Sequence, residues 1–444
     1  MMPRLALLLL ALTCPACLGE AEDGPDAGPD GGGSGGFPSG GAGGGAGGAD
    51  AGFDFPVSNP DCAPDAVVIE ARLLDDGPFT RADLAPIEYV VYAQGQVQIF
   101  GKSAEGGNFT APAEGRLTFN TGGGTDDPLG ANVPLWQGTY RVELAAQDAR
   151  GCVGQTHLDL PVVGDVLVGD TDGAWHVRGS DGRWVVTLGD IAANRISSMI
   201  LAPDAEREFI VGFGAGLEGG PFLARVSADG RVLSRFVDVD LQGEPLFESG
   251  APRHVFYDAD ADEVLCDGVP DGRVLRFNLL GDYLGFHRVP GGDSGDHGAI
   301  GFARKGGRAI AGNAAHDRLY FLGETADLFV DTGGSFNEVY ALAAGPDDTV
   351  LVAQTEGDYT NRLVAYGAGG QQLRAGTIEA LEPEHVVPFR DGFLLSSGFD
   401  GLRRVDADLT LLAPDADGDR WNDFGGFGFG TVTSLVWLNA QAPR

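Results

Sequence analysis

The densest set of hard-oxygen donors in the chain is Asp415–Asp423, DADGDRWND. Asp415, Asp417, Asp419 and Asp423 offer carboxylates at close, mostly alternating positions; Asn422 adds an amide oxygen and Gly418 permits a sharp bend. Ca2+ takes roughly six to eight such oxygens, and glycine lets near neighbours in sequence converge on one ion. The plain alternative is a solvated Asp-rich loop. A Ca2+ ion held there would stabilise the fold and not catalyse. A second acidic run, Asp258–Glu263, falls on a predicted hairpin and reads as a turn.

The 7 histidines are scattered. His254, His297 and His385 stand at or just before predicted strands that each open a repeating unit. If those strands line one channel, the three imidazoles could meet around Zn2+ or serve in acid–base work. Arg195, Asn337 and Glu338 hold comparable positions, so the channel mouth reads as polar. No residue is assigned as catalytic. Outside the Gly-rich tract the chain has no G-x-S-x-G elbow, and it has no H-E-x-x-H and no P-loop with its Lys; GFGAGLEGG opens no helix and so makes no phosphate cradle. FGGFGFG, Phe424–Gly430, reads as a flexible lead into the last strand, though its Phe rings could stack on a sugar or peptide.

The elements that would position these groups begin at Gly164. Apolar runs recur at VLVGD, FIVGF, VLCDG, RAIAGN, TVLVAQ and FLLSSGF, spaced about 41–55 residues apart. Each is preceded by another short strand, among them SSMILAPDA, HVFYDADAD, VYALAAGPDD and HVVPFRDG, through an Asp- or Gly-rich turn. Each is followed by strands such as FLARVSADG and RVLSRFV. Antiparallel four-strand units at this spacing are β-propeller blades. Asp165–Asp190 reads as three strands with no leading one, and Thr431–Asn439, TVTSLVWLN, as one strand with no partner. Joined, they complete a sixth blade. A seventh would have to hide in Asp238–Gly250.

The repeat resembles the NHL/YVTN-like propellers, whose blades run apolar strand, D-x-x-G turn, apolar strand, small residues; it lacks the Gly-His and Trp-Asp marks of WD repeats. The Asp415–Asp423 loop resembles the calcium loops of thrombospondin type 3 repeats. It departs from an EF-hand, where the twelfth position would need Glu and this chain has Gly426.

Residues 57–163 read as a small all-β domain. TYRVELAAQDARGC alternates apolar and polar and then turns, which buries one face of the strand. The segment resembles the end of immunoglobulin-like or PKD-type sandwiches. Cys62 and Cys152 bracket this domain; a disulfide between them would close a loop of about 90 residues and stabilise by about 4 kcal/mol. Cys266, inside EVLCDG, reads as a buried small hydrophobe.

Residues 1–17 carry Arg4, an apolar run Leu5–Leu12 and then small residues, too short a run to stay as a spanning helix. Pro15-Ala16-Cys17 resembles a bacterial lipoprotein signal, with Cys14 where Leu is usual. The resemblance implies lipidation at Cys17, and Leu18 after it implies outer-membrane sorting; a secreted or periplasmic product is the alternative. Residues 18–56 are Gly-rich, cannot bury enough surface to order, and read as a tether.

The net charge of −35 excludes nucleic acid and anionic membrane surfaces as partners, leaving the lipid anchor as the only membrane contact. The expectation is an all-β protein with an N-terminal β-sandwich and a six-bladed propeller, 164–440, closed by its C-terminal strand. Its expected function is non-catalytic recognition of a protein, peptide or glycan at the cell surface. The alternative is a metal-dependent hydrolase or lyase with its site in the channel.

Overall fold

The computed structural model describes most of residues 55–439; the stretches of five or more residues outside the description are 80–86, 118–135, 191–195, 215–219, 291–298, 332–337 and 414–431. Cys17, the loop bearing Asp415, Asp417, Asp419 and Asp423, and the positions Arg195, His297 and Asn337 therefore lie outside the described residues. The described chain is all-β and built from antiparallel sheets.

Seven strands come first: β1 (Val68–Leu73), β2 (Ile87–Tyr92), β3 (Val97–Ser103), β4 (Asn108–Ala111), β5 (Gly115–Leu117), β6 (Gly138–Asp148) and β7 (Val153–Val162). They form two sheets, β1-β2-β5 and β4-β3-β6-β7. Ile69, Tyr89, Val142, Leu144 and Leu160 from both sheets share one apolar cluster. Cys62 and Cys152 are joined by a disulfide beside it. The turn after β6 is set by Asp148, whose Oδ1 accepts the N–H groups of Arg150 and Cys152 at 2.9 Å each. β4, NFTA, alternates polar and apolar over only four residues, too short a run to find it by.

The remaining strands are β8 (Val166–Asp170), β9 (Ala174–Arg178), β10 (Trp184–Asp190), β11 (Ile196–Leu201), β12 (Glu208–Phe213), β13 (Phe222–Ser227), β14 (Val232–Arg235), β15 (Val255–Asp258), β16 (Glu263–Asp267), β17 (Arg273–Phe277), β18 (Tyr283–Arg288), β19 (Ala299–Lys305), β20 (Arg308–Asn313), β21 (Arg318–Phe321), β22 (Asp327–Asp331), β23 (Glu338–Ala344), β24 (Val350–Thr355), β25 (Asn361–Tyr366), β26 (Gln372–Thr377), β27 (Pro383–Phe389), β28 (Gly392–Ser397), β29 (Gly401–Val405) and β30 (Val432–Trp437). Consecutive strands pair into β11–β14, β15–β18, β19–β22, β23–β26 and β27–β29. The exception is the first sheet, β10-β9-β8-β30, in which the C-terminal strand pairs with β8, Val432 opposite Asp170 and Trp437 opposite Val166.

Burial falls from the second strand of a sheet to the fourth. β8, β16 and β24 are buried at every residue, whereas β26 is almost wholly exposed. A strand buried on both faces must have neighbours on both, and the apolar clusters show which. In β16, Val264 and Cys266 pack with Ile210 and Leu223 of the sheet before, while Leu265 packs with Ala309 and Ala311 of the sheet after. Ile310 packs with Val350 and Val352, and Leu351 with Leu395. Leu394 packs with Val168, and Leu167 with Phe209. Alternation along each second strand thus sends successive side chains into two different cores.

Polar clips join the same neighbours. Arg225 Nη1 donates to Leu279 O at 3.2 Å, and His287 Nδ1 meets Gly323 O at 3.0 Å. Lys305 Nζ donates to Asp348 O, Arg374 Nη1 to Ala407 O at 2.5 Å, and Arg390 Nη2 to Ser180 O at 2.5 Å. Thr433 Oγ1 donates to Ile196 O. The described part of Asp238–Gly250 holds no further unit. Val239 and Pro245 form an isolated bridge, and Leu246 and Phe247 pack on Phe277.

The acidic run Asp258–Glu263 is the hairpin between β15 and β16. Its carboxylates are taken up locally: Asp258 accepts the Asp260 N–H, Asp262 the Tyr257 hydroxyl, and Glu263 the Nε and Nη2 of Arg276.

Candidate functional site

In each hairpin of first and second strands, the start of one lies beside the end of the other. The residues ending the second strands are Asp170, Phe213, Asp267, Asn313, Thr355 and Ser397. Five of these six are polar, whereas the residues before them in the same strands are mostly apolar.

His254 and His385 meet there. His254 precedes β15, His385 is the third residue of β27, and their ring centroids are 5.4 Å apart with planes tilted by 48°. Two sheets far apart in sequence supply the two rings. Main chain holds the His385 ring and the carboxylate that faces the His254 ring. Val255 pairs with Cys266, which brings His254 beside Asp267. Asp267 Oδ1 accepts the N–H groups of Arg253 and His254 at 2.9 and 2.6 Å. Its Oδ2 stands 3.5 Å from His254 Nδ1, an ion-pair distance without a hydrogen bond, and Nδ1 is buried without a hydrogen-bond partner. His385 Nε2 lies 3.2 Å from Ser197 O of β11. A carbonyl only accepts, so this nitrogen carries the proton. Ser198 Oγ, next along β11, accepts the Val255 N–H at 3.0 Å. β11, β15 and β27 are thereby tied at this end.

A carboxylate beside an imidazole is the orienting half of an acid–base site. The other half needs a hydroxyl or thiol that the imidazole can deprotonate. Ser396 is opposite His385 in register, but its Oγ is buried and makes no hydrogen bond. Cys266 is fully buried, and burial foremost, then the charge of Asp267, pushes its thiol well above the usual range, away from the reactive thiolate. Among the described residues no three His, Cys, Asp or Glu side chains group as metal ligands. A second buried pair, His176 Nε2 with Asp170 Oδ2 at 2.9 Å, sits at the equivalent end of the first sheet.

Of the residues expected at the mouth, His254 and His385 come together. Glu338 begins β23, while Arg195, His297 and Asn337 lie outside the described residues. Asp267, Asp170 and Ser197 escape the sequence reading. The signal that could find the two aspartates is the recurrence of a polar residue at the end of an apolar second strand, as in VLVGD and VLCDG.

No family model matches the chain, and no curated protein matches it. Among solved structures it is similar to the computationally designed Ika8 protein, with 14% identity over 55% of this chain and 68% of that one and a TM-score of 0.33. It is also similar to a protein of Bacteroides uniformis assigned as a 6-phosphogluconolactonase, with 14% identity over 56% of this chain and 80% of that one and a TM-score of 0.39. Neither similarity is large enough to carry an argument.

Proposed function

We propose that residues 164–440 form a six-bladed β-propeller closed by β30, and that its channel mouth is a non-catalytic recognition surface for a protein, peptide or glycan. Support for the ring comes from the six apolar clusters, which link each sheet to the next and the last, through Leu394 and Val168, to the first. The observation that carries the functional reading is the bracing of Asp267 by main-chain N–H groups and of the His385 ring by a main-chain carbonyl, with no activated hydroxyl or thiol beside them among the described residues. Polar groups locked before a ligand arrives lose little freedom on binding it, which favours recognition. The chain is exported, lipidated at Cys17 and held at the outer membrane or cell surface by the 18–56 tether, with the 57–163 sandwich as a spacer. Ca2+ at Asp415, Asp417, Asp419 and Asp423 steadies the approach to β30.

One observation favours the second reading, a metal-dependent hydrolase or lyase: the Asp267–His254 pair has the form of an oriented base. One experiment separates the two. Purified protein is applied to glycan and peptide arrays and, in parallel, to ester, lactone and glycoside substrates with and without EDTA. The recognition reading expects a ligand whose affinity falls about tenfold in His385→Ala, by loss of desolvated polar contacts. Turnover that His254→Ala and EDTA both abolish would establish the enzyme instead.

A further inference from the structure

An apolar patch lies on the connection after β14 and the β17–β18 turn, at the end of β17 away from Asp267. After β14 the chain crosses from its own sheet to the next, where the Val237 N–H donates to Gly281 O at 2.9 Å. It then folds into a small hairpin: Val239 bridges Pro245, and the Leu246 N–H donates to Asp238 O at 2.8 Å. Phe236, Leu246 and Phe247 anchor this hairpin around Phe277. Its other side faces solvent. Leu241 at the tip is 89% exposed, and Leu280, in the turn that receives Val237, is 80% exposed; Val237 and Val239 are exposed as well.

Single exposed apolar residues are ordinary, but two nearly bare leucines on adjoining turns, with two valines beside them, form a patch. The fold does not require them. Asp240 Oδ1 holds one turn through the N–H groups of Gln242 and Glu244, at 2.8 and 2.9 Å. Asn278 Oδ1 holds the other through Leu280 and Asp282, at 3.0 and 2.8 Å. In such turns the side-chain oxygen and the glycine set the geometry, and the residue between can be polar. These hydrogen bonds set the backbone from which each leucine projects.

The rim of the patch is acidic. Asp238, Asp240, Glu244 and Asp282 lie on these two turns, and 236–247 and 278–284 contain no Lys or Arg. The nearby Arg225 is taken up by Asp204 and Glu208, and Arg235 lies over the Phe222 ring.

We propose that this patch docks a cationic amphipathic segment of a partner protein, its apolar side chains on Leu241 and Leu280 and its Lys or Arg residues on the acidic rim. Charge complementarity selects that occupant. A second copy brings the same acidic rim and a net charge of −35, and an anionic bilayer is repelled for the same reason. The proposal is independent of what the channel mouth recognises.

The test is fluorescence anisotropy of the full chain with a labelled amphipathic Leu/Lys peptide and its Leu/Glu counterpart. The Leu/Lys peptide binds and the Leu/Glu peptide does not. Leu241→Ser with Leu280→Ser weakens binding about tenfold or more, as expected for two lost apolar anchors. Asp238→Asn with Glu244→Gln weakens it less and flattens its salt dependence. Thermal melting is unchanged in both variants, because the altered side chains are exposed. Equal affinity for the two peptides, or indifference to the leucine pair, overturns the proposal. So does self-association in sedimentation velocity, or binding to phosphatidylcholine or phosphatidylglycerol vesicles, that disappears with the leucines.

Discussion

The indole Nε1 of Trp437 donates to the carbonyl of Gly164 at 3.2 Å, joining residues 273 positions apart. The next residue, Leu438, donates its N–H to Asp165 O at 2.9 Å and accepts the Gln137 N–H at 2.7 Å. The last strand therefore grips both the start of the first sheet and the segment leading into β6. Trp136, in that same segment, stacks on Phe209 at 5.5 Å. This segment fastens the N-terminal sheets to the rest of the chain.

Removal of residues 431–444 is expected to destabilise all of 164–430 and not the tail alone. It strips β8 of one of its two partners and exposes the surfaces covered by Val432, Leu435, Val436 and Leu438, each worth about 1.5–3 kcal/mol. Calorimetry should show one transition shifted far down or lost. A truncated chain melting like the intact one would refute the closed ring.

Gly164→Ala should cost about 2 kcal/mol. A Cβ there would lie 2.0 Å from Leu438 O and 2.8 Å from Gln137 N, both backbone atoms that cannot swing aside. Gly138 lies in the strand that follows and has nothing within 4 Å of its Cβ position, so Gly138→Ala should be neutral or slightly stabilising. Urea unfolding of the two variants gives the comparison, and equal midpoints would dismiss the junction argument.

Asp348 makes one clip between sheets sensitive to acid. The Gly306 N–H, at 2.9 Å, is the main cause holding its carboxyl below the ordinary range; burial works against it and the Lys305 charge adds to it. The folded value is the lower one, so this contribution is complete above the unfolded aspartate value of about 3.9 and is lost as pH falls through the folded value. Wild type should melt above Asp348→Asn at neutral pH, and the gap should close below about pH 4. A gap that stays constant on acidification would be inconsistent with this assignment.

Cys266 should resist Ellman's reagent in the folded protein. Its thiol is fully buried, its ionisation is opposed first by that burial and then by Asp267, and it packs against Ile210 and Leu223. In a chain starting at Gly52, labelling should follow unfolding, with a rate that rises with urea. Rapid stoichiometric labelling of native protein would show that the core of this sheet opens without unfolding.

The second strands are legible because each is an unbroken apolar run, VLVGD, VLCDG or TVLVAQ, the mark of a strand covered on both faces. The N-terminal sheets are harder to read, since β4 and β5, four and three residues long, are too short for a period to show. At the candidate site, His254 and His385 are visible as histidines that open units. Asp267 is not, because its role depends on the Val255–Cys266 register, and Ser197 acts through a carbonyl that every residue possesses.

By itself the sequence determines the strand class, the repeat and its unpaired ends, because periodicity and turn chemistry are local properties of the chain. Only the tertiary structure decides that Val264 and Leu265, adjacent in sequence, enter different cores, and that two histidines from separate sheets stand 5.4 Å apart. Those outcomes are set by how sheets twist and pack on one another, and packing between distant segments leaves no pattern in either segment alone.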